Sequence, residues 1–164
     1  MSKQKIVKKQ IGIFSGSFNP IHIGHVILAN YITEFSNIDE VWFVVTPHNP
    51  LKEVDGLANE NSRLEMCRMA LQGMEKLKVS EIEFSMPKPS YTIDTLNRLK
   101  KDYPKLAYLN RNLGALYLKK KNFSKAIDEY KVALSCIPSD TESLYGLGIS
   151  YYYSDQKEKA EEVL

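Results

Sequence analysis

Gly16-Ser17-Phe18-Asn19-Pro20-Ile21-His22-Ile23-Gly24-His25 is the stretch on which the reading of this chain turns. Before it stands the apolar run Ile11 to Phe14, closed by Ser15-Gly16-Ser17, which reads as a short buried strand. After it, Ile21 to Phe35 carries apolar residues at helical spacing. A Gly-rich turn between a strand and a helix is where an open α/β sheet places its ligand. Gly16 has the backbone freedom to bring amides to an anion, and Pro20 stiffens the turn. His22 and His25 are three apart at the helix start, hence on one face, and the helix N-terminus adds free N–H groups and about half a positive charge. Gly24 has no side chain to hold a nucleotide at a distance. Phosphate oxygens are the natural guest of such a turn.

The alternation continues outward. Val41-Trp42-Phe43-Val44-Val45 is a second buried strand by its β-branched and aromatic content, and Pro47 to Gly56 is loop. Asn61 or Ser62 is placed to cap a helix through Leu71. A weaker strand over Leu77 to Ser80 leads into the Met86-Pro87-Lys88-Pro89 loop, and Thr92 is placed to cap a third helix reaching about Lys101. Strand and helix alternating three times call for a parallel sheet with helical crossovers, the first half of a doubly wound fold.

After Pro104 strand-like segments stop and a period of 34 residues begins. Leu113-Gly114, Tyr117 and Ala126 recur as Leu147-Gly148, Tyr151 and Ala160, and Tyr130 maps onto Leu164. The spacing resembles the tetratricopeptide pattern, with Tyr130 in its aromatic place and Pro138 closing the first unit. Asn110 and Leu144 stand where that pattern often has Trp. One repeat covers about 107–140 and a second, incomplete one 141–164.

The totals exclude several classes. With 22 basic and 20 acidic side chains in 164 residues the net charge is +2, which gives no reason to expect nucleic acid or an anionic membrane as partner. Residues 1–10, with Lys3, Lys5, Lys8 and Lys9, read as a solvated basic tail. Cys67 and Cys136 belong to no CxxC or His-rich spacing, so neither zinc nor a disulfide framework is expected. No signal-peptide core and no run of about 18 apolar residues occurs, so a soluble, cytoplasmic protein is expected.

The full string resembles the HxGH nucleotidylyltransferase superfamily, whose Gly-Ser/Thr-Phe-Asp/Asn-Pro-x-His-x-Gly-His signature is present throughout. Eight specified positions would coincide by chance in well under roughly one chain in a million at average Gly and Pro usage. Within the superfamily, nicotinate-mononucleotide adenylyltransferases are most similar, over about 11–103. Thr46-Pro47-His48-Asn49-Pro50-Leu51-Lys52, Arg63-Leu64-Glu65-Met66 and Pro89-Ser90-Tyr91-Thr92-Ile93-Asp94-Thr95-Leu96 carry that likeness. The HxGH string is shared by transferases with other phosphate-bearing acceptors, and the last stretch alone points to nicotinate.

The resemblance implies a Rossmann-like (HUP-type) sheet, here cut to three strands, followed by all-α tetratricopeptide hairpins. The implied domains are 11–104 and 107–164. The implied reaction joins ATP and nicotinate mononucleotide to give nicotinate adenine dinucleotide and pyrophosphate, a step of NAD biosynthesis. His22 and His25 would be catalytic, with Gly16, Ser17, Phe18 and Gly24 at the phosphates. Tyr91, Thr92, Asn49 and Lys52 would hold the nicotinate nucleotide, and Mg²⁺ would arrive with ATP. Family members continue past the third helix with a fourth strand and a later phosphate-gripping motif that this chain does not match. Little or no turnover by the chain alone is therefore expected. Two further readings stay open: a repeat module that binds a protein or peptide beside an inert nucleotide segment, and a chimeric fragment without integrated function.

Overall fold

A computed structural model of the chain describes residues 9–48, 56–103 and 108–164. It divides into two compact units, one reaching Thr95 and the other starting at Leu96.

The first unit is a three-stranded parallel sheet of β1 (Ile11–Gly16), β2 (Glu40–Val45) and β3 (Leu77–Ser80), in the order β1-β2-β3. Parallel neighbours need a crossover, supplied by α1 (Ile23–Phe35) between β1 and β2 and by α2 (Glu60–Ala70) between β2 and β3. The register runs from Ile11 opposite Glu40 to Gly16 opposite Val45, and from Val41 opposite Leu77 to Val44 opposite Ser80. β2 is central and accordingly the most buried, with Val41, Phe43, Val44 and Val45 all 2% exposed or less. Val41, Phe43 and Val45 share one core cluster with Val26 and Ala29 of α1 and Leu64 and Cys67 of α2. β1 is a sheet edge among the described residues.

Several boundaries differ from those the sequence suggests. β1 runs on to Gly16, and α1 starts at Ile23. The cap of α2 is Asn59, whose side chain accepts from the Asn61 N–H, rather than Asn61 or Ser62. Thr92 is the first residue of α3 (Thr92–Asp102) rather than its cap, because the Tyr91 carbonyl already accepts from the Thr95 N–H. A 3₁₀ turn, Ile82–Ser85, had no sequence signal. Lys9 is not free in solvent but pairs with Glu40 at 2.7 Å, and Gln10 accepts from the Asp39 N–H at 2.9 Å. The chain is thus tied to the base of β2 before β1 begins.

α1 is apolar on more than one side. Val26, Ala29 and Thr33 face the core, whereas Ile23, Ile27, Tyr31 and Phe35, four apart, are each 60% exposed or more. Burial pushes the Cys67 thiol up to about 11 and so keeps it neutral, while Cys136 is exposed.

The second unit is all helix: the end of α3, then α4 (Tyr108–Lys119), α5 (Phe123–Cys136), α6 (Thr141–Tyr153) and α7 (Lys157–Val163). Its division from the first falls inside α3 because the later turns of that helix bond to the helices that follow. Asn97 donates to the Tyr117 hydroxyl at 3.3 Å, and Lys100 pairs with Glu129 at 2.7 Å. The 34-residue period is physical. Lys121 and Asp155, 34 apart, both turn left-handed with φ of 58° and 61°, and α5 and α7 start 34 apart. A Cβ on Gly114 would stand 2.8 Å from the Tyr130 ring, and one on Gly148 would stand 2.5 Å from Leu164, the same pair one period later. Tyr130 also reaches forward, lying 2.3 Å from a Cβ built on Gly146. One buried ring therefore sets the spacing of three helices.

Gly146→Ala is expected to destabilise the second unit by about 1–3 kcal/mol, since the ring of Tyr130 is walled in and cannot swing away. Urea denaturation followed by tyrosine fluorescence checks this, and an unchanged midpoint would mean that Tyr130 is not the spacer.

Candidate functional site

The C-terminal ends of β1 and β2 lie side by side, since the Thr46 N–H donates to the Gly16 carbonyl at 2.9 Å and the Ser15 and Thr46 hydroxyls are 3.1 Å apart. From this rim the Ser17–His22 loop rises to the start of α1. Phe18 turns it: the residue has φ of 45°, a left-handed conformation that costs a side chain about 1–2 kcal/mol. The ring offsets that cost by burial, being 4% exposed against Phe14 and Phe43. Gly16 serves the same packing, because a Cβ there would meet the Phe18 ring at 3.2 Å. The freedom that the sequence places at Gly16 is thus needed at Phe18, and Gly16 contributes space instead.

Asn19 ties the loop to the chain before α2, donating to the Gly56 carbonyl and accepting from the Ala58 N–H, both at 3.0 Å. Gly56 has φ of 81°, which suits glycine alone.

The two histidines meet. His22 is the N-cap of α1, and its N–H donates to Nδ1 of His25 at 3.2 Å while the His25 N–H donates to the His22 carbonyl at 3.0 Å. The imidazole rings lie against each other with centroids 3.7 Å apart and planes tilted by 32°. Phe18 meets the ring of His25 edge-on at 5.2 Å. An acceptor Nδ1 leaves the proton of a neutral ring on Nε2, so His25 is held as a hydrogen-bond donor through Nε2. Burial, then the neighbouring His22, hold the His25 pKa below the ordinary imidazole value of 6.5. Gly24 makes this contact possible, since a Cβ there would stand 3.1 Å from Nδ1 of His22. Its role here is room for an imidazole.

Gly16, Ser17, Phe18, Asn19, His22 and His25 line a cavity of about 530 Å³. The Ser17 hydroxyl is buried and has no hydrogen-bond partner among the described residues, an exception for a buried polar group. Phe18 belongs to this wall by its backbone, its ring being in the core.

Tyr91 and Thr92 lie elsewhere on the same unit, exposed at the start of α3 and outside the wall of that cavity. His48 is half-buried after β2, and Asn49 and Lys52 fall outside the described residues.

Two buried charges escaped the sequence reading. Arg63, 1% exposed, donates to the backbone carbonyls of Ser17, Thr46, Pro47 and Ala58. Glu83, 2% exposed, accepts from the Ser90 hydroxyl at 2.6 Å and the Thr95 hydroxyl at 2.7 Å, so it brackets Tyr91 and Thr92 from both sides. No periodicity marks the burial of either, although the Arg63-Leu64-Glu65-Met66 stretch is part of the family likeness.

The Cytidylyltransferase-like family model matches residues 13–145, most of the chain and all of this loop. The chain belongs to the cytidylyltransferase-like family. Among curated relatives, a probable nicotinate-nucleotide adenylyltransferase of Bacteroides fragilis (strain YCH46) is 57% identical over 99 residues, 60% of this chain and 49% of the relative. One of Flavobacterium johnsoniae is 50% identical over 95 residues, 58% of this chain and 49% of the relative. Another, of Flavobacterium psychrophilum, is 42% identical over 127 residues, 75% of this chain and 65% of the relative. The chain spans about half the length of most of these relatives. As a cytidylyltransferase-like unit it has the expected layout, a parallel sheet with its loop site at the carboxyl ends of the strands.

Two outcomes are expected. In an NMR titration the His25 resonances move through their midpoint below 6.5, and His22→Ala raises that midpoint by removing the neighbouring charge; a midpoint at or above 6.5 would contradict this geometry. Glu83→Ala costs about 1–3 kcal/mol for each hydroxyl left unsatisfied, whereas Glu83→Gln keeps most of that stability. Thermal unfolding of the two variants separates them.

Proposed function

We propose that the first unit is a nicotinate-mononucleotide adenylyltransferase site, which takes ATP and nicotinate mononucleotide. The phosphate oxygen of the mononucleotide attacks the α-phosphorus of ATP. The bond from that phosphorus to the β-phosphate bridging oxygen breaks, and pyrophosphate leaves with the electron pair. Aligning the two phosphates and stabilising charge on their oxygens is most of such a reaction.

The observation that carries the reading is the close, tilted His22–His25 ring pair at the N-terminus of α1, with the buried Ser17 hydroxyl in the same cavity wall. His25 is presented as a neutral donor by its bond from the His22 backbone, and donors fixed before substrate arrives need no reorganisation during reaction. Gly16, Ser17 and Phe18 offer backbone amides to phosphate, and Gly24 lets the His22 ring lie over His25. Tyr91 and Thr92, held by Glu83, and Asn49 and Lys52 would receive the nicotinate nucleotide, as the names of the relatives suggest. Mg²⁺ would come as part of the ATP substrate, held by its phosphates.

The helical unit we read as tetratricopeptide hairpins, on the strength of the repeated Gly114–Tyr130 and Gly148–Leu164 contacts and the paired left-handed turns. On this reading the repeats begin at about 107, while the compact units part at Thr95 and Leu96, and the repeats give the chain a surface of a kind that receives a protein or peptide. No described helix is long and apolar enough to cross a membrane, and we place the protein in the cytoplasm. Turnover by this chain alone should be slight, because beyond α3 it is all helix where a doubly wound sheet would add a strand beside β1.

Calorimetric titration with ATP·Mg²⁺ and then nicotinate mononucleotide tests the assignment, with pyrophosphate release followed in the same sample. Both nucleotides should bind, and His22→Ala or His25→Ala should each weaken ATP binding about tenfold, the worth of one hydrogen bond to a charged group. Absence of binding by either nucleotide would overturn the site. A robust initial rate would instead overturn the expectation of slight turnover.

A further inference from the structure

Arg63 is the largest fully buried side chain described, and it is a cation. Its guanidinium reaches three separate segments: Nη1 donates to the carbonyls of Ser17 and Thr46, Nη2 to Pro47 at 2.8 Å, and Nε to Ala58 at 3.0 Å. No carboxylate comes within ion-pair distance of it among the described residues. Glu60, the carboxylate whose charge acts on it, is itself paired with Lys88 at 2.6 Å. Cys67, also close enough to act on it, is held as the neutral thiol. Desolvation lowers the guanidinium pKa, and an arginine side chain stays protonated in proteins. Such a buried charge is stable when its donors are met, and four backbone carbonyls take four of its five N–H groups here without cancelling it.

Peptide planarity gives the arrangement a direction. In a trans peptide the C=O and the following N–H point opposite ways, so drawing the Ser17 carbonyl onto Arg63 turns the Phe18 N–H away from it. Ser17 and Phe18 form part of the cavity wall. The same logic turns the His48 N–H, following Pro47, and the Asn59 N–H, following Ala58, away from the guanidinium.

We infer that Arg63 is the positioning residue of the phosphate loop: it fixes the peptide planes that aim the loop's amides, and its positive charge behind Ser17, which no carboxylate among the described residues pairs, draws an anion into the cavity. This rests on the reading of that cavity as a phosphate site. It accounts for the Arg63-Leu64-Glu65-Met66 stretch, whose role neither the fold nor the reaction had used. Charge and shape come from one side chain, so Arg63→Lys, which keeps the charge and loses the fork, and Arg63→Gln, which loses the charge, separate them.

The test uses the full ¹⁵N-labelled chain, with inorganic pyrophosphate as probe. Arg63→Gln should weaken pyrophosphate about tenfold or more and raise the His25 titration midpoint. Arg63→Lys should leave that midpoint near the parent's, recover part of the affinity, and still displace the Phe18 amide resonance. A folded Arg63→Gln with parental affinity, parental Phe18 amide shift and parental His25 midpoint overturns the inference. Should Arg63→Gln fail to fold, Arg63→Lys decides, and a parental Phe18 amide shift in it counts against the fork. If the parent chain binds no pyrophosphate, the phosphate-site reading fails by itself. The Phe18 shift and the His25 midpoint need no ligand and still judge Arg63.

Discussion

A guanidinium that has left water is stable where carbonyl oxygens accept from it, and Arg63, with no carboxylate partner among the described residues, meets four of them. Those oxygens belong to the loop after β1, the loop after β2 and the approach to α2. Each loop is thereby fixed relative to the other two. The strands supply the frame, since parallel pairing brings Gly16 beside Val45 and so puts both loops at one rim. Without the cation, the rim would carry three segments with no common partner. Its position on the first turns of α2 makes that helix part of the site, although none of its other side chains need touch a ligand.

The histidine pair depends on this frame through Phe18. A left-handed Phe is unfavourable by itself, and it persists because the ring completes the aromatic cluster of Phe14, Phe43 and His25. The core thus bends the loop, the loop places His22 at the N-cap, and the N-cap amide selects the tautomer of His25. Packing energy in the sheet is converted into the protonation state of a side chain in the cavity. Ser17 is the one residue of the wall, among the described residues, with a buried side-chain polar atom that has no hydrogen-bond partner.

The helical unit obeys a different rule. Its order comes from one-dimensional repetition, in which each hairpin packs on the next through glycines that admit a ring or a Leu side chain. Tyr130 serves its own hairpin and the next, so a single residue couples two repeats. Nothing in that arrangement needs the chemistry of the first unit, and the two are built from unrelated periods.

The sequence by itself determined the kind and order of nearly every element, because strand composition, helical spacing and the 34-residue period are local signals that survive without tertiary contacts. It also determined the loop of the site, since Gly16 to His25 concentrates rare residues at fixed offsets. Tertiary structure decided the rest. Which side of the apolar α1 is buried, Val26, Ala29 and Thr33 rather than Ile23, Ile27 and Tyr31, depends on where the sheet lies. Phe18 rather than Gly16 takes the strained backbone because the core can compensate a ring and not a hydrogen. Nothing in the linear pattern marks Arg63 and Glu83 as buried, and only folding brings together the carbonyls and hydroxyls, distant in sequence, that make their burial tolerable.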